Sequence, residues 1–322
     1  MTFDTELRPR AALGIDVGGT KIEAQLLAPD GGLLWCRRLA SPSHDYGLML
    51  QALADLVREA RAVAPGGQCS IGLGTPGSAT ADGRLKNANT QCLNGRPLAA
   101  DLAARLGQPV RLANDANCLA LSEATDGAGA GAAVVFAAIL GTGCGAGIAV
   151  HGRVLEGPNR LAGEWGHNPL PWAGPDEPRP ACYCGQAGCI ETLLSGPALA
   201  AGHAQQHGGA LSAAQIAAAA EAGEPQAQAT LEAWQQRLAR ALASVINLLD
   251  PEVIVLGGGL SAIASTYQAV PALWGRWVFS GGLREPVRTR LLPARHGDAS
   301  GVRGAAWLWR QPPQALTALT SA

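Results

Sequence analysis

Lysine is almost missing from this chain. Lys21 and Lys86 are the only two, and every other basic residue is arginine. Genome composition is a sufficient cause, so no function is read from it. Charge of either sign is sparse, at 15% of residues with a formal net charge of −1. With neither a basic excess nor a basic cluster, a nucleic-acid or membrane-surface partner is not expected. No apolar window approaches the length that spans a bilayer. The opening "MTFDTELRPR" has no apolar core of the kind a secretion signal needs. Five of the eight cysteines, Cys36, Cys69, Cys92, Cys118 and Cys144, stand singly in apolar or glycine-rich surroundings. Scattered thiols without a secretion signal point to a reducing compartment, so a cytoplasmic protein is expected. Hydrophobic residues are plentiful, at 48% of 322 residues, enough for two domains with separate cores.

Strand and helix patterns alternate along the chain. "AALGIDV" (11–17) runs through "GGT" into "KIEAQLL", a strand, a tight turn and a second strand. A third strand is expected at 33–39, a helix at 48–62, and a strand at 69–77 that enters a Gly-Pro turn. A short helix at 97–107, a strand at 109–115 and a helix from 116 follow. "AAVVFAAILGTGCGAGIAV" (132–150) repeats the strand, glycine turn and strand. Residues 151–195 read as irregular, and "AAQIAAAAEA" as a helix former. Leu231, Trp234, Leu238, Leu242, Val245 and Leu249 recur at helical spacing over 229–250. A buried strand at 251–259 and a final helix at 300–309 complete the pattern. The alternation implies α/β architecture, and the repeated glycine hairpin implies a duplication.

Three glycine turns follow strands: "GIDVGGTK" (14–21), "GTGCGAG" (141–147) and "GGG" (257–259). Glycine lets the backbone approach an anion, and consecutive N–H groups form a nest for phosphate oxygens. Each alone reads as a plain hairpin turn. Neither of the first two fits the Walker pattern, and "GTGCGAG" leads into a strand where a dinucleotide fold needs a helix. Together with Asp16 and Asp115 the set resembles the sugar kinases of the actin, hexokinase and heat-shock ATPase superfamily. That resemblance implies two related domains with a cleft between them, closing on ATP and Mg²⁺. It places Gly14, Ile15, Asp16, Val17, Gly18, Gly19, Thr20 and Lys21 around the first phosphate loop, with Asp16 near the Mg²⁺. Gly141, Thr142, Gly143, Cys144, Gly145, Ala146 and Gly147 form the second loop, and Gly257, Gly258 and Gly259 lie against the nucleoside.

The remaining three cysteines crowd into "CYCGQAGC" as Cys182, Cys184 and Cys189, with His167 fifteen residues upstream of the first. One residue between two cysteines is poor disulfide geometry, and the spacing is not a C-x-x-C redox motif. Three thiols and one imidazole make a Cys₃His zinc set, so a structural zinc at His167, Cys182, Cys184 and Cys189 is expected. "GEWGH" followed by "CYCGQAGCIE" resembles the signature of the ROK family of repressors and sugar kinases, with every signature position filled. The resemblance runs from Gly14 to about Trp309.

It implies an N-terminal α/β domain over 1–116, completed by a C-terminal helix at about 300–318. A second domain follows over 117–299, with the zinc motif at 167–189. It implies phosphoryl transfer from ATP to a hexose hydroxyl, with Asp115 as the base that accepts the hydroxyl proton. Asp115 also fits a helix cap, and the two roles are compatible. Asn89, Asn114, Glu164, His167 and Glu191 match the family's sugar ligands. Segments such as "NANTQCLNG" and "GEWGHNPLPW" look most like the family's bacterial fructokinases. The expected reaction is phosphorylation of fructose at its 6-hydroxyl, with mannose as a second acceptor. N-acetylglucosamine, N-acetylmannosamine and glucose stand as alternatives, and a silent sugar-binding regulator as a distant one. A repressor is not expected, since thirteen residues before Gly14 are too few for a DNA-binding domain. The resemblance admits a homodimer.

Overall fold

Apolar residues fill almost every position of β1 (Ala11–Val17), and the computed structural model shows why: it is a central strand. The structure describes residues 11–279 and 285–311; "MTFDTELRPR" and the end of the expected last helix, 312–318, lie outside the described residues. β1 pairs antiparallel with β2 (Lys21–Leu27), which pairs antiparallel with β3 (Leu33–Ala40). β3 is an edge strand and its arginines face solvent, a common protection for an unpaired edge. α1 (Tyr46–Val63) starts two residues before the apolar pattern, because the Asp45 carboxylate accepts from the Leu48 N–H at 2.8 Å. It buries Met49, Leu53, Leu56, Val57 and Ala60.

β4 (Cys69–Thr75) then pairs parallel with β1. The two-residue strands β5 (Ser78–Ala79) and β6 (Leu85–Lys86) form a small hairpin. After α2 (Leu98–Leu106), β7 (Arg111–Asn114) adds parallel to β4. The sheet order is β3-β2-β1-β4-β7. α3 (Asp115–Thr125) follows directly and carries the chain into a second unit.

That second unit, Leu119–Ser300, repeats the same plan. β8 (Val134–Leu140) pairs antiparallel with β9 (Cys144–Val150), and β9 with β10 (Arg153–Val154). α4 (Glu191–Leu194), α5 (Gly196–His207), α6 (Ala213–Glu221) and the long α7 (Pro225–Leu249) come next. β11 (Val253–Gly257) pairs parallel with β8; α8 (Thr266–Trp274) leads on to β12 (Arg290–Pro293), which pairs parallel with β11. The order β10-β9-β8-β11-β12 has the same connectivity as the first sheet. α7 starts at Pro225, four residues before the apolar pattern, because Glu224 caps it through the Gln226 and Ala227 N–H groups. Its buried stripe includes Leu231, Trp234, Leu238, Leu242 and Val245.

Several elements were not legible as periodic runs, and the stretch 151–195 read as irregular holds β10 and α4, each too short to show a period. α5 has no apolar stripe, α8 holds Pro271 inside it, and β12 is four residues ending in proline. α9 (Ser300–Trp307) is the last α-helix of the described residues, runs into a short turn at Leu308–Arg310, and packs in the first unit. Gly14 on β1 and Gly72 on β4 make room for it. A methyl group at either would overlap a backbone carbonyl of α9, at Val302 or Ala305. Among the described residues no helix is long and apolar enough to cross a membrane.

Candidate functional site

In the first unit, parallel strands end together. The register sets Asp16 at the end of β1 beside Gly74 of β4 and Glu23 of β2, and sets Thr75 beside Asn114. Burial, then the charges of Asp115 and Glu23, push the Asp16 carboxyl up to about 7, with Lys21 opposing. Lys21 Nζ is 4.0 Å from Glu23 Oε2, and the Arg38 guanidinium also pairs with that carboxylate. Asn114 ties the turn after β4 in place: its Nδ2 donates to Gly77 O at 2.8 Å and its Oδ1 accepts from the Ala116 N–H at 2.8 Å. Asp115 opens α3, and its Oδ1 accepts from the same N–H at 2.8 Å. Asn89 is exposed in the loop after β6. Gly18 closes the first glycine turn by donating to Lys21 O at 2.9 Å, while Gly19 and Thr20 face solvent. Gly14, Ile15 and Val17 lie buried within β1, short of that turn.

In the second unit, two of the expected loops meet in one cavity of about 930 Å³. Gly141 and Thr142 line one side and Gly259 another, with the alanine face of α6 as a wall. Gly258 has φ of 80°, and a Cβ there would sit 2.5 Å from Leu140 O, so only glycine serves. The volume is that of a nucleotide-sized ligand site. Cys144 to Gly147 belong to β9 rather than to the turn. Sequence reasoning read α6 as a helix and missed it as a wall. A signal was present in its capping box, Ser212 with Gln215, which fixes where the wall begins.

"GEWGH" is shaped by its two glycines. A methyl group at Gly163 would overlap Ala146 O, and one at Gly166 would overlap Cys144 O. The segment therefore lies directly on the backbone of β9, held by Ala146 N–H to Gly163 O at 3.1 Å and by Trp165 Nε1–H to Gly145 O at 3.0 Å. Glu164 is left exposed, and His167 turns toward the cysteines. His167 Nδ1 is 3.6 Å from Cys182 Sγ, and Cys184 Sγ is 3.6 Å from Cys189 Sγ. The ligand atoms of all four residues lie within 4.8 Å of one another. Burial and the two neighbouring cysteines push the Cys189 thiol up to about 12, and a thiolate is the form a metal needs. This donor set fits a tetrahedral zinc. His167 Nε2 faces the Tyr183 hydroxyl at 3.0 Å, a partner not foreseen from the sequence. Glu191, in the first turn of α4, points its Oε2 back at the second glycine turn and accepts from the Cys144 N–H at 2.8 Å.

With this geometry in hand, the comparisons with known proteins are consistent with one another. The ROK family model matches residues 12–312. N-acetyl-D-glucosamine kinase of Pectobacterium atrosepticum is 42% identical over 310 residues, covering 92% of this chain and 97% of that protein. N-acetyl-D-glucosamine kinase of Yersinia enterocolitica is 40% identical over 301 residues, covering 92% and 98%. The crystal structure of a ROK hexokinase from Thermus thermophilus superposes with a TM-score of 0.80 at 32% identity, covering 92% of this chain and 96% of that one. A ROK family glucokinase from Streptomyces griseus, in complex with glucose and AMPPNP, gives 0.74 at 30% identity, covering 94% and 100%. The chain belongs to the ROK family and has the two-domain α/β fold of its hexokinase-like members.

The narrower expectation of a fructokinase is not supported, since these relatives are named for N-acetyl-D-glucosamine. The segments that suggested fructose, "NANTQCLNG" and "GEWGHNPLPW", carry amide, carboxylate and imidazole side chains that could bind the hydroxyls of any hexose.

Proposed function

We propose that this chain is an ATP-dependent kinase that phosphorylates N-acetyl-D-glucosamine at its 6-hydroxyl. The observation that carries this reading is 40–42% identity to N-acetyl-D-glucosamine kinases over 92% of the chain. In this reading the cavity beside Gly141 and Gly259 takes the nucleoside of ATP. Asp16 would hold the Mg²⁺ of the nucleotide, with Asp115 and Glu23 adding negative charge beside its buried carboxyl. Magnesium supplies charge neutralisation on the phosphoryl oxygens. Asp115 takes the proton of the acceptor hydroxyl as its oxygen bonds to the γ-phosphorus and the bond to the leaving ADP oxygen breaks. Asn114 holds the Gly77 turn, and Asn89, Glu164, His167 and Glu191 serve the sugar. His167, Cys182, Cys184 and Cys189 would hold a structural zinc and so brace their loop. A panel of ATP with N-acetylglucosamine, glucose, mannose and fructose tests the substrate. The expected result is the highest kcat/KM for N-acetylglucosamine. A higher value for glucose or fructose would overturn the substrate while leaving the kinase.

A further inference from the structure

Two hydroxyls beside the first glycine turn have no hydrogen-bond partner among the described residues: Thr90 Oγ1 and Ser41 Oγ. Thr90 is 1% exposed. It holds the N-cap position of the short helical turn Gln91–Leu93, where a threonine side chain ordinarily accepts from a first-turn N–H. Here it makes no such bond. Its hydroxyl stands instead against the glycine turn, 3.6 Å from where a Cβ on Gly19 would be. Ser41 follows the end of β3 and is tied to the same turn, its backbone N–H donating to Thr20 O at 3.0 Å. Its side-chain oxygen is buried there without a partner. Burying a hydroxyl unpaired costs stability, so two of them at one turn call for a ligand that repays the cost.

The turn is the kind that admits an anion, and each hydroxyl brings one rotatable donor to it. Thr90 also directly follows Asn89 in the chain, the residue expected at the sugar. Thr90 thus links the glycine turn, which its hydroxyl faces, to the residue expected at the acceptor sugar. We infer that Thr90 and Ser41 donate hydrogen bonds to the oxygens of the phosphoryl group received by the Gly18–Thr20 turn, with Thr90 a catalytic residue alongside Asp115. Neither hydroxyl gives up its proton. This inference rests on the kinase reading.

The test is Thr90→Val, which keeps shape and removes the hydroxyl, with Thr90→Ser as rescue and Ser41→Ala as a second probe. Thr90→Val is expected to lower kcat about tenfold to a thousandfold, as loss of a preorganised donor does, while its Tm holds or rises. Thr90→Ser should return kcat to within a fewfold of wild type, and Ser41→Ala should lower kcat at unchanged Tm. If Thr90→Val unfolds, the Ser41→Ala result decides. Wild-type kcat in Thr90→Val, or in Ser41→Ala where that variant decides, overturns the inference alone. A wild-type protein that phosphorylates no hexose overturns the kinase reading and this inference with it.

Discussion

Asp16 and Asp115 sit in one unit with different surroundings. Asp16 is placed by strand register next to Glu23, and burial raises its proton affinity. Asp115 starts a helix whose first N–H groups favour negative charge. Asp115→Asn should leave fold and nucleotide binding intact and lower kcat by about two to four powers of ten, the range for a lost general base. Near-normal turnover would leave Asp115 a helix cap only. For Asp16 the sign of the pH effect follows from its value of about 7 against an ordinary 3.8. The folded, metal-free protein holds this proton more tightly than the unfolded chain does. The stabilisation is complete below the unfolded value and is lost as pH rises through about 7. Melting temperatures of wild type and Asp16→Asn, taken from pH 4 to 8 without metal, should diverge in favour of the variant as pH rises. Parallel curves would contradict it.

At the scale of elements, the Cys₃His loop gathers four potential metal ligands, and two glycines press the segment leading to it onto β9. The purified protein should carry about one zinc per chain, because the donors make one four-ligand set. Cys184→Ser should lose the metal and lower Tm, read by metal analysis and calorimetry, since metal binding is coupled to folding. The cysteine set was legible in the sequence because Cys182, Cys184 and Cys189 are close in the chain and zinc chemistry is strict about ligands. The glycine turns were legible for the same local reason. The closeness of Gly163 and Gly166 to β9 was not, because it depends on which strand passes beneath them. Nor was the wall formed by α6, whose alanines carry no chemical signature. The Thr90 hydroxyl was hidden because its sequence neighbourhood suggests a helix cap, which the structure does not make.

For the molecule as a whole, two sheets of one connectivity come from a single chain, and the first needs the chain's last described helix. Gly72 gives a direct test of that docking, since any side chain there meets the Ala305 carbonyl. Gly72→Val should destabilise by about 1–3 kcal/mol or more through overpacking, measured by denaturant unfolding. Unchanged stability would mean α9 is not seated on β4. The same docking has a consequence for biosynthesis. The second unit is one continuous stretch, Leu119–Ser300, whereas the first is closed only by residues from Gly301 onward. At about 5–20 residues per second, the ribosome spends roughly ten to forty seconds on that intervening stretch. Throughout that interval the nascent first sheet has Gly14 and Gly72 uncovered by α9. The first unit, begun first, is finished last.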